Sequence, residues 1–152
     1  MKALKLIASI LLCEAIGVIG SFFTFPAIGA WYAALQKPFF SPPNWLFGPV
    51  WTILFALMGI SLYLALEKGL TKKAIVFFGI QLILNLAWSI LFFGFHSPMI
   101  AFAEIIFLWI AIAATILEFR KTSQKAAWLL TPYILWVSFA AILNYAVWAL
   151  NP

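Results

Sequence analysis

A chain of 152 residues that is 66% hydrophobic and only 9% charged departs far from the ~45–50% apolar and ~25% charged make-up of soluble domains. Its few charges cannot cover so much apolar surface in water, which excludes a soluble globular fold and leaves lipid as the solvent. The net charge of +5 does not signal nucleic acid either, because the basic residues lie only in short segments between apolar runs, the pattern of membrane topology.

The chain opens on Lys2 and Lys5, ahead of an apolar run that continues past Glu14 to about Phe25. A signal peptide has a shorter apolar core and a small-x-small cleavage site. No such site precedes Gly17, and Leu12 before Cys13 matches a lipoprotein acceptor poorly, so a retained first helix is expected. Cys13 is the only cysteine, which excludes an intrachain disulfide.

A membrane span takes about 20 mostly apolar residues. Such stretches fall at about 4–25, 45–66, 74–94, 99–119 and 127–150. The expected fold is an all-α membrane protein, a single domain over residues 1–152, built as a bundle of five transmembrane helices with a short interfacial helix in the first loop. All connections but the first are short, so sequential helices pack antiparallel. The N-terminus and the second and fourth loops then share one side, which carries Lys2, Lys5, Lys68, Lys72, Lys73, Arg120, Lys121 and Lys125 against Lys37 alone on the other. This asymmetry places the N-terminus in the cytoplasm of a prokaryotic cell, with the first loop and the C-terminus outside.

The first loop carries Trp31 and Leu35 at the spacing of one helical turn, then Lys37 and the stiffening Pro38, Pro42 and Pro43. A rigid aromatic loop at a membrane surface is expected to be either a lid over an opening or an interfacial anchor. On the second helix Trp51 and Phe55 share a face. On the third, Gln81, Asn85 and Trp88 do, continued by Phe92; on the fifth, Trp136, Ala140 and Asn144. Carboxamides inside a bilayer face the bundle, where they serve as interhelical hydrogen-bond glue. Joined to aromatic faces on three helices, they also outline a pocket for a large, flat, mostly apolar ligand. Trp45, Trp128 and Trp148 lie near helix ends as belt anchors, and Trp109 has aliphatic neighbours and is expected to pack without a polar partner. Pro132 is expected to kink the fifth helix.

Glu14 and Glu104 are intramembrane carboxylates, functional candidates by default. Either would serve a proton-coupled small-molecule transporter, the alternative function. Their other reading is a neutral carboxyl bonded to a neighbouring helix. His96 is the sole histidine and there is no aspartate, so a metal cluster is not available, and no nucleotide-binding glycine loop appears in the sequence.

Three blocks carry a resemblance. The first is Trp31-Tyr32-x-x-Leu35-x-Lys37-Pro38-x-x-x-Pro42-Pro43 followed by Phe47-Gly48-Pro49-x-Trp51. The second is Gln81-x-x-x-Asn85-x-x-Trp88 followed by Phe92-Phe93-Gly94. The third is Leu129-Leu130-x-Pro132-Tyr133-x-x-Trp136-x-x-Phe139, then Leu143-Asn144-Tyr145-x-x-Trp148. In order and over nearly the whole chain, these resemble the translocator protein / tryptophan-rich sensory protein family. The resemblance implies a five-helix bundle, often a homodimer, with a cavity capped by the first loop. It implies binding of porphyrins such as protoporphyrin IX and of isoquinoline and benzodiazepine ligands. The roles it brings are tetrapyrrole handling, transport, stress sensing or light-dependent porphyrin degradation. The ligand-binding positions implied are Trp31, Tyr32, Trp51, Phe55, Gln81, Asn85, Trp88, Trp136, Ala140 and Asn144. Trp51 and Trp136 are the candidates for photochemistry, and no cofactor is required beyond porphyrin as ligand or substrate. The sterol pattern of animal members needs a basic residue after the fifth-helix tyrosine. Tyr145 is followed by none, which argues against sterol binding through that motif.

Overall fold

The structure, a computed structural model, describes every residue from Met1 to Pro152. Helix α1 (Lys2–Ile28) is followed by the short α2 (Trp31–Ala34), α3 (Asn44–Glu67), α4 (Lys72–Ser89), α5 (Pro98–Thr122), α6 (Gln124–Leu129) and α7 (Thr131–Leu150). Five stretches are long and apolar enough to cross a membrane: Lys2–Ile28, Asn44–Glu67, Lys72–Gly94, Pro98–Thr122 and Gln124–Leu150. Helices are the natural choice there, because they satisfy every backbone polar group within the segment.

Local signals set the helix ends. The Thr71 hydroxyl accepts from the Ala74 N–H at 3.2 Å and starts α4, and Ser123 does the same for α6 through Ala126 at 3.3 Å. Pro98 occupies the first turn of α5, where its missing N–H is harmless. Two departures from regular helix matter. The third span ends in a π-helical turn, Ile90–Gly94, in which the Phe95 N–H reaches the Ile90 carbonyl at 2.8 Å. In the fifth, Pro132 produces a break rather than the expected kink. Helix α6 stops, Leu130 caps the next segment, and Pro132 falls in the first turn of α7.

Packing closes the spans into a ring. Helix α1 lies beside α3 and α4, α4 beside α5, α5 beside α6 and α7, and α6 against α3. At one end of this ring the contacts are close. An added Cβ on Gly59 would run into the Ile10 backbone of α1, so only glycine permits that approach. The buried Ser61 hydroxyl donates to the Ala126 carbonyl at 2.7 Å, and Phe78 stacks on Phe119 with centroids 5.6 Å apart. The same end gathers the basic residues. Lys5 pairs with Glu67 at 3.0 Å, while Glu118 takes both Lys121 at 2.7 Å and Lys73 at 3.4 Å.

Candidate functional site

Toward the opposite end the ring opens into a cavity of about 690 Å³, within the range of ligand sites. Its walls come from α1, the first half of α3, the end of the third span and α7, with Tyr32 of α2 at the top. The space has a physical origin. Helices α1 and α3 are pinned together around Gly59, and large aromatic side chains prop the bundle apart farther along. Gly17 is needed beside this space because a Cβ there would lie 2.6 Å from the Phe55 ring. Val18, Phe25 and Trp45 line the cavity while being 57%, 74% and 72% exposed, so it opens to the surroundings between α1 and α3.

Of the positions singled out in the sequence, Tyr32, Trp51, Phe55, Asn85, Trp88, Trp136, Ala140 and Asn144 all border this cavity. The structure does not bring Trp31 or Gln81 to it. Trp31 turns outward, stacks on His96 with centroids 4.4 Å apart and borders a separate groove of about 300 Å³. His96 takes a left-handed backbone conformation, φ 53°, in the break after the π turn. Gln81 is buried beneath the cavity. Its Oε1 accepts from the Tyr133 hydroxyl at 2.9 Å, and Asn85 donates to that hydroxyl at 2.8 Å. Gln81 therefore acts as the interhelical glue, with Asn85 holding the upper edge of the same network.

The aromatic rings are held at fixed angles. The Trp88 indole N–H donates to Asn144 Oδ1 at 2.9 Å, and Asn144 in turn donates to the Pro98 carbonyl at 2.7 Å. Phe92 stacks on Trp88 at 5.1 Å and Phe93 meets it edge-on at 5.9 Å. Both come from the π turn, and such turns recur at functional sites. Trp51 leans on Phe55 at 5.6 Å and meets Tyr133 edge-on at 6.3 Å. Trp136 is braced by Phe47 and Phe139, yet its indole N–H is buried with no acceptor. An unpaired buried donor costs about 1–3 kcal/mol, and this one has no exposed surface through which a water or a ligand could reach it.

The first loop is fastened over the cavity. Lys37 Nζ donates to the carbonyls of Tyr32, Leu35 and Ala33 at 2.7, 3.1 and 3.3 Å, closing the end of α2. The Asn151 carboxamide accepts from the Gln36 N–H at 3.0 Å and donates to the Gln36 carbonyl at 2.9 Å. The loop is thereby clasped to the end of α7. Burial raises the Tyr32 hydroxyl above the ordinary phenol range, with a contact to Ser41 opposing the shift, so the hydroxyl stays neutral and able to donate.

Glu14 borders the cavity. Glu104 does not, and both its carboxyl oxygens are buried without a partner. No group of three or more His, Cys, Asp or Glu side chains converges on a metal position. Trp109 donates to the Ser138 hydroxyl at 2.8 Å, where plain packing was expected. The residues that sequence reasoning missed are Tyr133, Phe47 and Asn151. Tyr133 had a signal, lying one turn before Trp136 on the pocket face. Asn151 had none, because its partner is 115 residues away.

Comparison with known proteins agrees with this architecture. The family model described as the TspO/MBR family matches residues 9–149. The chain is 51% identical to the tryptophan-rich protein TspO of Archaeoglobus fulgidus, over 99% of each. It is 47% identical to the protein of that name from Chlorobaculum tepidum, over 99% of this chain and 98% of the relative. It is also 43% identical to the translocator protein of Homo sapiens, over 80% of this chain and 75% of the relative. With matches of that extent across the spans that build the cavity, the chain belongs to the TspO/MBR family.

Proposed function

We propose that this membrane protein binds porphyrins of the protoporphyrin IX type, and isoquinoline- or benzodiazepine-like molecules, in the cavity beneath the first loop. The observation that carries this reading is a space of about 690 Å³ walled by Trp51, Trp88 and Trp136. A flat macrocycle would stack in offset fashion against these rings, and Asn85 or Tyr32, which border the same space, would fix its orientation. The biological role in this reading is tetrapyrrole handling, transport or stress sensing. The protein works as a homodimer in a prokaryotic cell membrane, with the basic end in the cytoplasm, as the charge asymmetry favours.

The test is a titration of protoporphyrin IX in detergent, in the dark, followed by tryptophan quenching. Saturable binding that Trp51→Phe with Trp136→Phe weakens supports the placement, and unchanged titration curves in that double variant reject it. Trp51 and Trp136 both border the cavity, which favours a second reading, light- and oxygen-dependent degradation of the bound porphyrin. Bleaching at equal rates with and without protein dismisses that one. The transport alternative keeps Glu14, which borders the cavity, but loses support at Glu104, which does not.

A further inference from the structure

A ligand has three ways to the cavity, and two of them are fastened. At the basic end, α1 and α3 meet at Ile10 and Gly59, and the Gln81–Tyr133–Asn85 network closes the floor. At the lid, the buried Tyr32 is wedged among Phe47, Phe92 and Phe93, beneath a loop held by Lys37 and Asn151. The third way is the gap between α1 and α3. These helices run antiparallel in a register set by two contacts, Gly59 on Ile10 and Phe55 on Gly17. Continued toward the lid, that register sets Thr52 beside Val18, Gly48 beside Ser21 and Trp45 beside Phe25. All six border the cavity, and all but Ser21 are exposed. Each row recurs at three- and four-residue spacing and so forms one edge of a slot. At about 1.5 Å per residue, the slot runs roughly 10 Å along the helices.

The slot lies in the lid-side halves of two membrane-spanning stretches, and its hydroxyls are turned back onto their own helices. Ser21 donates to the Val18 carbonyl at 2.6 Å, Thr24 to Gly20 at 3.3 Å and Thr52 to Gly48 at 3.0 Å. A rim whose donors are satisfied within each helix suits contact with hydrocarbon. Its clearest point is Gly48, where an added Cβ would meet nothing within 4 Å. Resting on the porphyrin-binding reading above, we propose that the ligand reaches the cavity sideways through this slot, from the membrane leaflet away from the basic end, with Gly48 as its threshold. The ligands so admitted are flat molecules that dissolve in the bilayer and slide in edge-on. The upper end of the slot, at Trp45 and Phe25, lies near the ends of both spans. A carboxylated macrocycle therefore keeps its charged edge at the wet interface while its apolar body enters, and avoids the cost of carrying a charge through lipid. The lid holds the ligand and is not its entrance.

The experiment follows protoporphyrin IX by stopped-flow tryptophan quenching, in the dark, with the full-length protein in phosphatidylcholine nanodiscs. It compares the native chain with Gly48→Ala, Gly48→Leu, Gly48→Phe and Asn151→Ala. An obstacle on a path raises the barrier from both sides, so Gly48→Phe is expected to slow association and release alike, each roughly tenfold, with Kd within about twofold. Gly48→Leu should fall between Gly48→Phe and Gly48→Ala, and Gly48→Ala should keep both rates within about twofold, since alanine favours the helix and leaves the gap open. Asn151→Ala loosens the lid over bound ligand but should leave association within about twofold. Native rates in both Gly48→Leu and Gly48→Phe overturn entry through the slot while leaving porphyrin binding in place. So does a loss of affinity carried by release alone, which makes Gly48 part of the binding wall, and so does faster association in Asn151→Ala, which assigns entry to the lid. Absence of saturable binding by the native protein overturns the porphyrin reading and the route together.

Discussion

At the basic end of the bundle, side chains and backbones meet with nothing between them; at the lid end, the same spans enclose a cavity. The difference lies in which residues face inward. Glycine, serine and alanine at the basic end let α1, α3 and α6 approach until Gly59 abuts Ile10 and Ser61 reaches the Ala126 carbonyl. Such close packing drives helix association in lipid, where the hydrophobic effect between helices is absent. At the lid end, rings of Trp51, Phe55, Trp88 and Trp136 occupy the interior, and the planes they form are braced by one another and not by a filled centre. Between the two lies the Gln81–Tyr133–Asn85 network, the floor on which the open half rests. One end supplies stability and the other encloses the cavity.

That contrast can be broken, most severely at its tight end. Gly59→Leu drives a side chain into the α1 backbone and should destabilise the fold by about 3 kcal/mol or more, read as a lower unfolding temperature in detergent. Tyr133→Phe strikes the floor. It removes the hydroxyl shared by Gln81 and Asn85 and should cost about 1–3 kcal/mol, because both buried amides lose a partner. The open end should respond in binding and not in stability. Trp51→Phe with Trp136→Phe should weaken protoporphyrin IX roughly tenfold while moving the unfolding temperature little, since stacking is worth about 0.5–1.5 kcal/mol per pair beyond area. Asn151→Ala removes an exposed clasp worth about 0.5–1.5 kcal/mol. Stopped-flow quenching should show faster release of ligand by a few-fold, with thermal stability retained. Lys121→Ala should do least and leave the unfolding temperature in detergent nearly unchanged, because Glu118 keeps Lys73 and the lysine ammonium itself is exposed.

Much of the fold was readable in the sequence because its signals are local. Hydropathy marked five spans, and the helices run only a few residues beyond them at each end. Spacing of three and four residues put Asn85 with Trp88, and Trp136 with Asn144, on common faces. The same spacing failed for Gln81, which shares the face of Asn85 but lies one turn deeper, below the floor. For Trp31 the spacing with Leu35 matched the short helix that forms, and it is the ligand-binding position implied by the family resemblance that the structure turns away from the cavity, onto His96. The π turn at Ile90–Gly94 left no signature in Ile-Leu-Phe-Phe-Gly, since it depends on how that segment fits its neighbours.

By itself the sequence determined the solvent, the number of spans, their antiparallel order, the charge asymmetry and the family blocks. Each of these depends on composition, on period or on residues close in the chain. Only the tertiary structure decided which aromatic faces enclose a space, which amides are committed to one another, that Glu14 borders the cavity while Glu104 does not, and that Asn151 clasps the lid. Those properties depend on distances between helices. These distances follow from how far each pair can approach, which no single helix specifies.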